Sequence, residues 1–553
     1  MPASIQKRPI SPSWGEIAKK AQDHRDASIA LLDPPLPEIA ELPLNSTPVP
    51  KTILTAEEVA ITEADPVGLV SQLASGTLTS VQVTEAFLRR AGLAQKLTNC
   101  VTELLPVASL ERATYLDSYI KEHGKPIGPL HGLPISVKEH IGMKGLTLNA
   151  GFIAWHDRTA DQNALILDIL YAAGAVFYVR TTQPQTLMHL ETSSNFYGET
   201  VNPFNRTLTS GGSSGGEGAI IGMRGSCLGI GTDIGGSIRS PAANNGVYGL
   251  RPTSYRLPLS GLSATMLGQE QIVPVIGPLS TSLGGVKLFM KTLIDAQPWL
   301  QEPSLLPFPW KTASQIPTDA SGNKTLKIAV LYDDGVVRPH PPVLRALKTV
   351  AEKLARVQGV QVTEWKPYKH AEAWTIISSL YFCDGGKEES EAIEASGEPW
   401  RPLSKFIIKE NENVKRHSVR EVWDWTVKRE EYRTEYARLW GDVDVILCPV
   451  GPGAAPPLNC ARYWGYTAQW NLLDYPALIA PITKVDPEID LADTSYKPRN
   501  PKDAYNHDLY SPEKYANAPV SLQLVGRRYE DEKVVEAMEY MMEKVGAPFT
   551  EFV

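Results

Sequence analysis

The chain has 553 residues, of which 42% are hydrophobic and 21% charged, a balance that suits a folded globule with a sizeable core and excludes a disordered or fibrous chain. Acidic residues outnumber basic ones 62 to 54, for a formal net charge of -8. No basic footprint points to nucleic acid or to an anionic membrane surface, which leaves small molecules as the natural partners.

Near the start, Lys7 and Arg8 precede polar Ser-Pro sequence instead of an apolar signal core, and no run approaches the roughly 18 apolar residues of a membrane span. Ser13 with Glu16 forms a capping-box pattern for a helix over Ser13 to Ser28, with Trp14, Ile17, Ala18 and Ala21 on one face. Pro34 to Pro50 reads as an extended wrap. Thr55 with Glu58 repeats the capping box, Asp65-Pro66 opens a helix carrying Val67, Val70 and Leu73, and Gly76 ends it. Thr79 with Gln82 opens the next, its apolar face made of Val83, Phe87 and Leu88. Residues 1–78 are therefore read as a helical extension with a Pro-rich linker, and 79–553 as one catalytic domain, since no internal repeat or clean linker divides the rest.

From Pro129 the texture changes. Leu133 to Glu139 reads as a buried strand leading to Lys138, Ala164 to Ala173 as a helix stopped by Gly174, and Ala175 to Val179 as an apolar strand. Leu326 to Leu331 is a further strand, followed by a helix with Val343, Leu344, Leu347, Val350 and Leu354 at helical spacing. Charged helices fill Arg356 to Arg438. Val443 to Cys448 reads as a strand stopped by Pro449, Val520 to Leu524 as an alternating one, and Asp531 starts a terminal helix. This succession belongs to the α/β class. The five cysteines (Cys100, Cys227, Cys383, Cys448, Cys460) are odd in number and widely spaced, so they do not form a disulfide framework and fit a reducing, cytoplasmic setting.

Chemistry concentrates between Thr209 and Arg239, where Gly211-Gly212-Ser213-Ser214-Gly215-Gly216-Glu217-Gly218 is followed by Gly231-Thr232-Asp233-Ile234-Gly235-Gly236-Ser237-Ile238-Arg239. Paired glycines allow close backbone approach to a ligand and can aim N–H groups at the point where a serine reacts. The G-x-S-x-G match lacks the apolar strand a nucleophile elbow requires before it, because Asn202 to Thr207 is polar. Glu217 stands where a phosphate loop needs Lys, and Ile234 where a dinucleotide fingerprint needs its third glycine. Ser511-Pro512-Glu513-Lys514 matches S-x-x-K by chance, in a Tyr- and Pro-rich polar segment. The ten histidines show no metal-ligand spacing, so neither metal nor cofactor is expected.

A serine nucleophile without an evident histidine base remains, and here the two blocks resemble the amidase signature family nearly residue for residue, with Gly132 to Lys138 similar to its upstream lysine segment. The similarity extends over roughly residues 60 to 545, loosely in the middle third. It implies an α/β/α sandwich with a central mixed β-sheet covered by helices, and hydrolysis of a carboxylic amide to acid and ammonia or amine. By the same resemblance Ser237 is the nucleophile, Ser213 the bridging serine after a cis peptide bond, and Lys138 the base. The amides of Ile234, Gly235, Gly236 and Ser237 form the oxyanion hole. Ser214 and Thr232 are read as supporting hydrogen bonders, and Asp233 with Arg239 as a buried clamp on the loop. Met188, Tyr463, Trp464 and Trp470, with Tyr466 nearby, are candidates to line the acyl pocket, although core packing explains the aromatic residues equally well.

The lysine reading has a physical requirement. At its ordinary pKa a lysine is neutral in about one molecule in 2,500 at pH 7, and burial behind Leu133, Ile135 and Val137 is what would change that. The Pro-rich lead and Leu472 to Pro476 resemble the fungal acetamidase-type branch, which points to small primary amides. Amidases of bulky aryl or acylated-amine substrates, a glutamine-hydrolysing amidotransferase subunit and a catalytically inert binding module are the alternatives. The oligomeric state, a homodimer included, is left open.

Overall fold

In the computed structural model, which describes residues 12–546, the short apolar runs become strands of one mixed sheet. Lys7 and Arg8, and with them the polar start, lie outside the described residues. The strands are β1 (Val101–Leu104), β2 (Pro134–Lys138), β3 (Val176–Thr181), β4 (Ser193–Ser194), β5 (Gly198–Glu199), β6 (Leu228–Asp233), β7 (Tyr248–Arg251), β8 (Val275–Ser280), β9 (Leu326–Val330), β10 (Val360–Glu364), β11 (Val445–Pro449), β12 (Ala477–Lys484) and β13 (Pro519–Val525). β4 and β5 make a separate hairpin, and the other eleven pair in the order β1-β3-β2-β6-β8-β7-β12-β13-β11-β9-β10. β2 runs parallel to β3 and β6, and β9 runs parallel to β10 and β11. The remaining pairs are antiparallel.

Successive side chains of a strand point to opposite faces, and this sheet uses both. Leu326, Ile328 and Val330 of β9 enter one apolar cluster with Val343, Leu347 and Val350 of the helix Pro341–Leu354, and with Val534 and Met538 of Asp531–Val545. Ala329 and Leu331 enter a second cluster with Ile376 and Leu380 of His370–Tyr381, Tyr436 and Trp440 of Val419–Trp440, and Trp464. The architecture is the expected one, a mixed sheet between helices.

The front end follows its capping signals. Ser13, Thr55 and Thr79 each accept from the third backbone N–H of their helices, while Glu16, Glu58 and Gln82 close the boxes. Asp65 caps Pro66–Ala74. The apolar faces differ in detail from the sequence reading. Trp14 and Val67 are exposed, and Leu69 buries beside the expected Leu73, because the helices pack at angles that single-helix spacing does not specify. The Pro-rich stretch is extended until the short helix Val49–Ile53. Pro449 belongs to β11 instead of stopping it: pairing with β9 ends at Leu447, so no neighbour on that side needs the N–H that proline lacks. β13 is buried along its whole length, as a strand inside a two-faced sheet must be.

Three strands around the chemistry were not read from the sequence: β6, β8 and β7, which neighbour one another in the sheet. β6 carries Gly229 and Gly231, which look like loop. A Cβ on Gly229 would lie 1.8 Å from Glu217 Oε2 and 2.4 Å from Ser136 Oγ. The glycine is there to admit a buried carboxylate from the helix Gly215–Gly222, not to bend the chain.

Candidate active site

β2 and β6 are parallel neighbours, with Ser136 opposite Gly229 and Val137 opposite Ile230. Their C-terminal ends therefore emerge together, Lys138 from one and Thr232 with Asp233 from the other. Open sheets bind ligands outside such strand ends. Between them sits the start of the helix Gly215–Gly222, preceded by Ser213 and Ser214 and by a cis peptide bond at Gly212–Ser213.

Lys138 is fully buried, and its Nζ lies 2.7 Å from Ser213 Oγ, 3.1 Å from Ser214 Oγ and 3.0 Å from Thr232 Oγ1. Burial brings its pKa down to about 7, against the upward pull of Asp233 and Glu217. Ser237 is on the adjoining turn, and the Ser214 N–H donates to its carbonyl at 3.1 Å. Burial likewise raises Glu217 to about 7, although Ser136 and Thr181 donate to it at 2.6 and 2.7 Å.

The turn after β6 is braced from several sides. Asp233 accepts from the Gly236 and Ile238 N–H groups at 2.9 and 3.1 Å, and Arg239 grips it with two bonds of 3.1 and 3.0 Å. Burial alone would raise the Asp233 carboxyl, but the Arg239 charge brings it to about 2. Arg239 also donates to the Thr467 carbonyl at 2.9 Å and to Asn471 Oδ1 at 2.6 Å, both in the helix Gly465–Leu473. The Tyr381 hydroxyl donates to the Ile234 carbonyl at 2.8 Å, and Thr467 Oγ1 to the Gly235 carbonyl at 2.7 Å. Gly236 has φ +130°, and a Cβ on it would meet Thr467 Oγ1 at 2.5 Å.

The N–H groups expected to form the oxyanion hole differ in their engagement. The Gly236 N–H is committed to Asp233, whereas the N–H groups of Ile234, Gly235 and Ser237 make no hydrogen bond among the described residues. The aromatic candidates divide as well. Trp464 faces the turn: a Cβ on Gly235 would come 2.7 Å from its ring. Met188 and Trp470 are both buried in the second apolar cluster, Trp470 edge-to-face on Tyr436. The Tyr463 hydroxyl bonds Asp334, and its ring lines a cavity of about 60 Å³ with Ser240, Leu190 and Val450. Tyr466 donates to the Val337 carbonyl at 2.6 Å.

Sequence reasoning missed His140, Tyr381 and Thr467. His140 contacts Thr232 Oγ1 through Nε2 at 3.0 Å and the Ser263 carbonyl through Nδ1 at 2.9 Å. Burial, and then the neighbouring Lys138 charge, hold it well below the ordinary histidine range, so it is neutral. A histidine two positions past Lys138 carries no spacing signal of its own.

A mixed α/β sheet with a buried lysine among hydroxyls, beside a turn of unengaged N–H groups, defines the class: a hydrolase. The family model described as Amidase matches residues 82–535, and the chain belongs to that family. It is 41% identical over 547 residues to an acetamidase of Emericella nidulans, covering 97% of this chain and 98% of that one. Against an acetamidase of Aspergillus oryzae the identity is 40% over 549 residues, with 97% and 99% covered. The solved structure of a fatty acid amide hydrolase superposes with a TM-score of 0.91 at 38% identity, covering 96% of this chain and 95% of that one. The protein is an amidase.

Proposed function

We propose that this amidase works through a serine acyl-enzyme built on Ser237, Ser213 and Lys138, and that its substrates are small primary amides. The observation that carries the triad is the full burial of Lys138 with its Nζ 2.7 Å from Ser213 Oγ. A lysine with a pKa near 7 is neutral in about half of the molecules at neutral pH, which makes it a usable base. Ser237 Oγ attacks the amide carbon and gives its proton to Ser213 Oγ, whose own proton passes to Lys138 Nζ. The oxyanion forms against the N–H groups of Ile234, Gly235 and Ser237. As the C–N bond breaks, the relay runs backwards and protonates the leaving nitrogen. Water then repeats the cycle on the Ser237 ester and releases the acid.

The likeness to two acetamidases over nearly the whole chain supports small acyl groups. A second reading, long-chain acyl amides, draws on the likeness to fatty acid amide hydrolase. Residues 1–78 are read as an extension carried by a single catalytic unit, 79–553.

Two measurements test this. A fluorophosphonate should label Ser237, and a Ser237→Ala protein still labelled at the wild-type rate removes it as nucleophile. On an amide panel from acetamide to long-chain amides, kcat/KM should be highest for the short members. A maximum at the long end replaces the small-amide reading with the second one.

A further inference from the structure

The hydrogens around Lys138 can be assigned from the acceptors and donors alone. A neutral amine has two N–H bonds and one lone pair, and three hydroxyls surround this one. The Ser214 hydroxyl donates to the Thr232 carbonyl at 3.3 Å. Its oxygen can therefore only accept from Lys138. The Ser263 carbonyl can only accept, so His140 Nδ1 carries the proton in that 2.9 Å contact and Nε2 of the neutral ring is an acceptor. The Thr232 hydroxyl hydrogen is thus drawn 3.0 Å away to His140, and Thr232 Oγ1 too is left accepting from Lys138. Both N–H bonds of the neutral amine are used, and its lone pair faces the one hydroxyl whose hydrogen is free, that of Ser213.

We propose that His140 is a positioning residue for amide hydrolysis: by holding the Thr232 hydroxyl hydrogen, it reserves the lone pair of Lys138 for Ser213. His140 is itself clamped, since the Ser263 N–H donates back to the His140 carbonyl at 2.9 Å and the His140 N–H donates to Gln183 Oε1 at 3.1 Å. Without the Nε2 acceptor, Thr232 would turn its hydrogen to Lys138 and compete with Ser213 for the lone pair. The inference rests on Lys138 being the base.

The test is a double-mutant cycle with His140→Asn, whose side-chain amide keeps a donor for Ser263 but lacks the Nε2 acceptor, and Thr232→Val, which has no hydroxyl to orient. Lys138→Ala is run alongside, with acetamide turnover and the rate of Ser237 labelling by a fluorophosphonate as readouts. His140→Asn should lower kcat about tenfold to a hundredfold, part of the roughly 10²–10⁴ that a positioned base contributes, with KM changed less than about threefold. His140→Gln, which restores an acceptor oxygen near the Nε2 position, should recover most of that loss. If His140 acts through the Thr232 hydroxyl, the double variant should be no slower than Thr232→Val within about threefold. Losses that multiply, or a His140→Asn protein of wild-type kcat, overturn the role of His140. Should His140→Asn fail to fold, Thr232→Val against Thr232→Ser decides: equal losses in both overturn the role, because serine keeps the hydrogen that His140 would hold. Lys138→Ala with unchanged turnover overturns the lysine reading itself, a result separate from the cycle.

Discussion

As the proposed base, Lys138 would set the pH at which the site works. Its pKa is brought down to about 7 by burial, so the neutral, basic form grows as pH rises, and kcat/KM should climb through a half-maximum near pH 7. Below about pH 6 the rate should fall close to tenfold per unit, as for any base lost to one proton. A profile flat from pH 5 to 9 would remove lysine from the rate-limiting proton transfer. Thr467 offers a second test at this scale, because its hydroxyl holds the Gly235 carbonyl at 2.7 Å. Thr467→Val should lower kcat more than it raises KM, since it loosens a turn whose neighbouring N–H groups are the proposed oxyanion donors. Lys138, Ser213 and Ser237 stand out in the sequence as the proposed triad because two glycine-rich blocks and a lysine segment match together. His140 and Thr467 were not, because each acts through a partner that only the fold brings near, Thr232 across 92 positions and Gly235 across 232.

The strand β6 and the helix Gly215–Gly222 lie so close that side chains decide whether they can pack at all. Gly229→Ala would set a methyl group 1.8 Å from the Glu217 carboxylate. Overpacking of this kind costs about 1 to 3 kcal/mol or more, and thermal unfolding should show it as a clear drop in Tm. Arg239→Met would leave the Asp233 carboxylate buried without its partner, where breaking a buried pair costs roughly 3 to 5 kcal/mol. Strands with mostly apolar runs, such as β9 and β11, could be read directly, and so could helices with capping boxes. β6 could not, because the glycines that make its packing possible are the residues that hide it from a hydrophobicity pattern. β1 is short, and its Thr102 and Glu103 are polar although all four residues are buried.

At the scale of the whole molecule, the front end is built into the core. Leu32 and Leu36 pack on Gly92, Ala18 reaches Ile153 and Phe196, and the Leu104 N–H donates to Ser28 Oγ at 2.9 Å. Deleting residues 1–54 should therefore lower Tm by several degrees instead of releasing an independent unit, and a truncated protein with unchanged Tm would assign the extension a separate role. The clamp on the Asp233 turn has a consequence in time. Lys138, Ser213 and Ser237 are all synthesised before residue 240, but the Asn471 side chain that Arg239 holds arrives 232 positions after it. At about 5 to 20 residues per second, a nascent chain carries Ser213 and Ser237 for on the order of ten to fifty seconds before the segment that shapes their turn exists. A ribosome-stalled chain ending before Gly465 should therefore resist the fluorophosphonate labelling that the finished enzyme accepts.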